Sequence, residues 1–269
     1  MAAIASPVTT TTLLPHVDYP TSDGKPMGET DLHRSVMFAA IETLKMHYAG
    51  QQVYVSGNIL LFYRPGNKRC HVSPDVMVVQ GLEQHDRENY LLWEEGRAPN
   101  IVIEVTSAST RKEDLKDKLK IYRDEIRVAE YFLFDPRSEY LNPALQGHRL
   151  SHGRYEPIAP VGGRLPSAEL GLHLEADGSR LRFYDSAGQR WLPTPQEVYR
   201  EAIAALERKD ADLEQKDADL EQKDADLEQK DADLVRQQAA LEQKDAALEQ
   251  KDAELERLLQ ELAALRRQG

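Results

Sequence analysis

The stretch "PNIVIEVTSASTRKEDLKDKLKIY", residues 99 to 122, holds a carboxylate, Glu104, inside the apolar run Ile101, Val102, Ile103, Glu104, Val105. A short run of branched apolar residues closed by Ser/Thr turn signals reads as a strand covered on both faces, where an unpaired charge is expensive. Either a partner neutralises Glu104, or the protein uses it. Downstream, Thr110-Arg111-Lys112-Glu113 has the form of a capping box, which predicts a helix from about Arg111 to about Glu125. At about 100° per residue, Leu115, Leu119, Tyr122 and Ile126 share one side and Ile121 extends it. Lys118 falls inside that apolar arc, while Lys112, Lys116 and Lys120 fall on the far side. One lysine is thereby singled out on the helix that follows the acidic strand.

Working outward, "TDLHRSVMFAAIETLKMHY" places Leu32, Val36, Ala40, Ile41 and Leu44 at helical spacing behind Thr30 as N-cap. "QVYVSGNILLFYRPGN" reads as two strands around Ser56-Gly57-Asn58, "PDVMVV" as a third, and "AEYFLFD" as the strand after the second helix. "GHRLSHGRYEPI" and "LGLHLEADGSRLRFYD" read as hairpins, with Asp177-Gly178 as a tight turn. The expected fold is α/β (α+β): helix, three strands, helix, strand, then a β-hairpin extension. Proline suits the first position of a strand, so Pro74 leaves Asp75 near the end of its strand. Asp75 and Glu104 then lie on successive strong strands, and two such carboxylates are a usual means of holding Mg2+. A structural alternative stands beside this: a salt bridge from Glu104 to Lys118 explains both residues without chemistry. Asp75 alone also suits a strand start, and Ser107, Ser109 and Thr110 suit turn and cap roles. His33 and His71 read as ordinary surface or boundary residues, since neither has metal-ligand spacing.

Net charge divides unevenly. From Glu201 onward there are 11 Lys+Arg against 20 Asp+Glu, which is −9 of the chain's −12 and leaves −3 for residues 1 to 200. The head is therefore nearly balanced, and a polyanionic partner is compatible with it. A single cysteine, Cys70, excludes an intrachain disulfide framework and fits a reducing compartment. The first twenty residues contain no Lys or Arg and no long apolar core, so a signal peptide is not expected. No segment approaches the roughly 18 apolar residues of a membrane span. The expectation is a cytoplasmic protein with no membrane partner.

The tail repeats "LEQKDAD", with leucine every seventh residue from Leu206 to Leu262 and no Gly or Pro before Gly269. This predicts one long helix, roughly 100 Å at ~1.5 Å per residue. Asp212 with Lys216, and Asp219 with Lys223, have the i, i+4 order that supports a helix. A seven-residue period suits a left-handed coiled coil, yet the second core position is Lys or Asp in most repeats. Only Leu255, Leu258, Leu259, Leu262 and Leu265 supply both seam positions. Homo-oligomerisation through that end is the expectation, against an extended solvated helix lengthened by repeat duplication.

Taken together, "SPDVMVV", "PNIVIEVTSASTRKEDLKDKLKIY" and "AEYFLFDP" resemble the Uma-two family of restriction endonucleases, a branch of the PD-(D/E)XK nuclease superfamily. The resemblance covers roughly Thr30 to Asp185. It implies a restriction-endonuclease-like core and metal-dependent cleavage of a phosphodiester bond, with Mg2+ or Mn2+ as cofactor and DNA, double-stranded, as partner. Carried over by position, Asp75 is the first acid and Glu104 the second metal ligand, with the Val105 carbonyl as a further oxygen. Two residues after Glu104 the superfamily pattern asks for lysine, and this chain has Thr106. In this family the lysine looks relocated to the next helix, where Lys118 in "DLKDK" matches it. Asp75, Glu104 and Lys118 are thus the expected catalytic residues. Asp114 matches the pattern too, with no role beyond orienting Lys118, and Glu29 is a weaker candidate for an extra metal contact. Arg111 and Lys112, at the helix N-terminus, are the expected nucleic-acid contacts. The expected organisation is an N-terminal segment at 1–28, a nuclease domain at 29–195 and a heptad-repeat helix at 196–269. Two other functions fit the residues: a catalytically silent nucleic-acid-binding or scaffold protein that works through its coiled coil, and a nuclease acting on RNA or branched nucleic acid.

Overall fold

The computed structural model describes residues 18–22, 30–107 and 113–268, divided between two compact units, Met1–Val198 and Tyr199–Gly269. In the first, helix α1 spans Asp31–His47 and starts where the Thr30 hydroxyl accepts the His33 N–H, the N-cap expected from the sequence. Its Val36, Met37, Ala40, Ile41 and Leu44 are buried, as the helical spacing requires. Strands β1 (Val53–Ser56), β2 (Leu61–Phe62), β3 (His71–Val72), β4 (Val76–Gln80) and β5 (Tyr90–Leu91) follow, then a single helical turn α2 (Leu92–Glu95) and β6 (Ile101–Val105). Beyond the next helical segment come β7 (Glu130–Phe134), β8 (Leu145–Ser151), β9 (Arg154–Pro157), β10 (Leu165–Ser167), β11 (Leu172–Asp177), β12 (Arg180–Asp185) and β13 (Arg190–Trp191).

The main sheet has the order β1-β4-β6-β7-β8-β9. Its β1, β4 and β6 are antiparallel, while β6 and β7 run parallel, joined across the helical segment. This is the expected succession of helix, three strands, helix and strand, in a mixed α/β fold. The side chains of β6 alternate: Ile101, Ile103 and Val105 enter the core shared with α1, whereas Val102 packs in the opposite core with Tyr122 and Ile126. Period-two geometry therefore sends Glu104 toward the segment that carries Lys118.

Three differences from the sequence reading have local causes. The two strands around Ser56-Gly57-Asn58 enter different sheets: β1 joins the main sheet, and β2 pairs with β3 and β5 in a small one. The chain turns between them because Asn58 adopts a left-handed conformation, with φ 53°, and because Gly57 has no side chain. A Cβ there would lie 1.9 Å from the Asp75 carbonyl oxygen. The helix expected over residues 111–125 is not a regular α-helix where it is described. It consists of wide π-helical turns at Glu113–Lys118 and Ile121–Ile126 with a brief α-helical link. Such turns leave i→i+5 bonding and a broader face than 100° per residue allows, and they recur at functional sites. The hairpins are present, but β8 and β9 extend the main sheet, while β10 to β13 form a second sheet against the α1 face.

The second sheet is tied on by another buried acid. Glu130 of β7 has no exposed surface and accepts from Arg149, the Ser167 hydroxyl and the Ala168 N–H. Asp135, also fully buried, accepts the N–H groups of Arg137, Tyr140 and Leu141 and so shapes the loop before β8.

Helix α3, Pro195–Gln268, opens on a reciprocal capping box. The Thr194 hydroxyl accepts the Glu197 N–H at 3.2 Å, and the Glu197 carboxylate accepts the Thr194 N–H at 2.8 Å. That backbone bond, before the Arg182 guanidinium, holds the Glu197 carboxyl below its usual range. Along the helix, Gln215 donates to Asp219 and Gln222 to Asp226, in place of the expected Asp–Lys pairs. An amide so placed satisfies the carboxylate at i+4 spacing without desolvating a lysine. The heptad leucines from Leu206 to Leu255 are exposed, between 48% and 61%. The side chains of residues 258 and 260–269, which hold most of the apolar end, lie outside the described residues.

Candidate active site

Antiparallel pairing of β4 with β6 sets Val76 against Ile103. Continued by one residue, the register brings Asp75 beside Glu104. Asp75 is 8% exposed and Glu104 is completely buried. Asp75 Oδ2 accepts the Val105 N–H at 2.7 Å, so the residue after Glu104 fixes the first acid. The backbone is pinned from behind, where Asn58 N–H donates to the Pro74 carbonyl at 2.8 Å.

Glu104 is held at both oxygens. Lys118 Nζ donates to Oε2 at 2.9 Å, and the Tyr122 hydroxyl donates to Oε1 at 2.6 Å. Lys118 Nζ also lies 3.5 Å from the Ser73 carbonyl, two residues before Asp75. Burial, and then the Glu104 charge, push the Tyr122 hydroxyl well above its ordinary range, so Tyr122 keeps its proton and remains a donor. Lys118 and Tyr122 belong to the two successive π turns, and their i, i+4 spacing sets both on the face that meets Glu104. Lys116 and Lys120 are exposed, on the side the sequence assigns to water.

A further residue joins from α1. His33 Nε2 lies 3.3 Å from Asp75 Oδ1, and His33 is 5% exposed. The sequence reading as a surface or boundary residue is therefore corrected. A single histidine in the first turn carries no spacing signal, and only the packing of α1 on β4 brings it to Asp75. Tyr122 was likewise legible as an apolar-arc residue but not as a Glu104 donor. His71 stays apart, with Nδ1 2.8 Å from the Lys68 carbonyl oxygen. Thr106, where the superfamily pattern has lysine, is 3% exposed and its hydroxyl donates to the Phe134 carbonyl. Ser109, Thr110, Arg111, Lys112 and Glu29 lie outside the described residues, as does the Asp114 side chain.

The family model "Uma2: Putative restriction endonuclease" matches residues 15–180, more than half of the chain. The chain belongs to the Uma2 family. Membership supports a nuclease function for the head, and Asp75, Glu104, Lys118, Tyr122 and His33 all fall within the matched span. A solved structure described as a "putative nuclease belonging to DUF820", from Anabaena variabilis, is 15% identical, with 58% of this chain and 83% of that chain covered and a TM-score of 0.42. Among curated proteins nothing matches the chain. Among the described residues, no helix of this Uma2 protein is long and apolar enough to cross a membrane.

The chemistry of the donor set fits a hard divalent cation. Two carboxylates meet one lysine, which leaves a negative charge over when His33 is neutral, and a carboxylate oxygen that accepts one hydrogen bond retains a second lone pair. Among the described residues no group of three or more His, Cys, Asp and Glu forms a ligand cluster. A two-carboxylate set completed by backbone oxygen and water is characteristic of Mg2+ rather than of a metal that needs a full protein cage.

Proposed function

We propose that this Uma2 protein is an endonuclease that hydrolyses phosphodiester bonds in DNA, double-stranded by preference, with Mg2+ or Mn2+ as cofactor. The reading is supported above all by one observation: Asp75 and Glu104 stand at neighbouring positions of paired strands, with Lys118 on Glu104. Asp75, Glu104 and the Val105 carbonyl would hold the cation. When bound, it supplies a Lewis acid for the phosphoryl oxygen and lowers the pKa of an attacking water. The chain's own groups do the rest. The Val105 N–H orients Asp75, Tyr122 holds one Glu104 oxygen, and Lys118 brings a positive charge to the edge of the site. There it can position the attacking water or balance charge that develops on the phosphate. Arg111 and Lys112 are assigned to backbone contacts with the nucleic acid, a cytoplasmic location is consistent with this activity, and the tail is assigned to homo-oligomer formation.

A second reading, a catalytically silent nucleic-acid-binding or scaffold protein, draws on the fact that both Glu104 oxygens already accept from protein donors. The two are separated by assay. The first expects cleavage of duplex DNA in Mg2+ or Mn2+ by wild type and its loss in Asp75→Ala. The metal should also raise the wild-type melting temperature, and Asp75→Ala should lose most of that shift. A wild type that cleaves no nucleic acid in either metal overturns the nuclease. Cleavage confined to RNA or branched substrates overturns the substrate assignment.

A further inference from the structure

The hairpin between β2 and β3, "YRPGNKRC" at residues 63–70, carries Arg64, Lys68 and Arg69 among six exposed residues, 64 to 69, that include no acid. Its shape is well determined. The Tyr63 N–H donates to the Cys70 carbonyl, the Cys70 N–H to the Asn67 carbonyl, and the Arg69 N–H to Asn67 Oδ1. Gly66, at φ 77°, donates its N–H to the Tyr19 hydroxyl at 2.6 Å. The Lys68 carbonyl oxygen is held near His71 Nδ1. The tip is thus braced by its own backbone while its cationic side chains remain in water.

Those cations differ in one respect. Arg64 is anchored by two bonds to Glu125, at 2.6 and 3.1 Å. Among the described residues, neither Lys68 nor Arg69 has an ion-pair partner. The hairpin is also joined to the site on both sides. Along the chain, β3 leads directly into Ser73, Pro74 and Asp75. Across space, Arg64 grips Glu125 in the same π turn as Tyr122, the donor to Glu104. The six residue-to-residue steps from Arg69 to Asp75 span at most about 20 Å even if fully extended. At about 3.4 Å per phosphate along one strand, that is within about six nucleotides of a scissile bond.

We propose that Lys68 and Arg69 grip the phosphate backbone of duplex DNA beside the scissile position, with Arg64 as the strut that holds the hairpin to the site. The proposal rests on the nuclease reading for the position of the scissile bond. Because the polar side chain at the tip, Asn67, is engaged in the turn itself, the contact is with backbone charge and is neutral to base sequence.

The test is the salt dependence of binding by the full-length chain, measured by fluorescence anisotropy on a labelled duplex without divalent cation, with duplex RNA as a second arm. Lys68→Ala/Arg69→Ala should lower the steepness of log K against log salt by about 2, since each phosphate contact contributes about 0.9. Lys68→Glu/Arg69→Glu should weaken binding further. The same charge loss in the tail, Lys209→Ala/Lys216→Ala, should leave the slope alone. In metal, the hairpin variants should raise KM and keep kcat, because neither residue touches the reacting atoms. Unchanged slopes in both hairpin variants overturn the proposal while leaving the nuclease reading intact. A slope change with duplex RNA only overturns the assignment to DNA. Wild type that binds DNA but never cleaves it overturns the nuclease and not the hairpin grip, whereas wild type that binds no nucleic acid overturns both.

Discussion

Lys118 and Tyr122 are the residues at which structural and catalytic roles separate. Removing one partner of a buried ion pair costs about 3–5 kcal/mol, because the other charge is left without compensation. Lys118→Met should therefore destabilise the metal-free protein by that order, as measured by denaturant unfolding. If a bound cation neutralises Glu104, the metal-loaded variant should recover most of the loss. Its cleavage rate should still fall by a factor of ~10² or more, as for other charge-stabilising groups. Tyr122→Phe removes one hydrogen bond to a charged acceptor and should cost about 1.5–3 kcal/mol. Lys116→Met and Lys120→Met, both exposed, should do neither. A Lys118→Met protein that cleaves at the wild-type rate would falsify the assignment of Lys118 to catalysis.

At the scale of elements, the site depends on two backbone features: the crossing of Gly57 behind Asp75 and the π turns after β6. A methyl group at Gly57 would lie 1.9 Å from a backbone oxygen and 2.8 Å from the Ile41 side chain, so the strand carrying Asp75 has to move. Gly57→Ala is expected to destabilise by at least the ~1–3 kcal/mol of an overpacked core. At temperatures where it stays folded, it should also lose metal-dependent thermal stabilisation, because the Asp75 to Val105 bond is drawn apart. Equal stabilisation of Gly57→Ala and wild type by Mg2+ would detach the metal from Asp75. Helical arithmetic already sets Lys118 and Tyr122 on one arc; that this arc meets Glu104 is decided by the packing of the segment on β6. The two are spaced i, i+4, one in each π turn, and both reach Glu104.

For the molecule as a whole, charge and exposure divide the work. The tail holds −9 of the net charge, which disfavours direct contact with a polyanion. Its exposed leucine stripe lacks a second apolar seam until Leu255, so self-association should depend on residues 255 to 265. Truncation after Glu254 should abolish or strongly weaken any oligomer in sedimentation velocity, while removal of whole heptads from the middle should change it little. An undiminished oligomer in the truncated chain sinks this assignment. The head should remain folded in every case, since its sheets and buried acids are completed before Tyr199.

Periodicity and chemistry along the chain were enough to place α1, β4, β6, β7 and the long helix, and to pick out Asp75, Glu104 and Lys118. Each of these signals is local: an alternation, an apolar arc, a charge where a charge is costly. The capping box Thr194-Pro195-Gln196-Glu197 at the start of α3 is absent from the sequence reading and comes from the structure, although its spacing is local. Tertiary structure alone decided the partners. That His33 meets Asp75, that Tyr122 completes Glu104, that Arg64 reaches Glu125 and that Gly57 must be glycine all follow from contacts between segments separated by 18 to 61 residues. Strand register and helix packing set those distances, and neither leaves a periodic mark on the residues that finally touch.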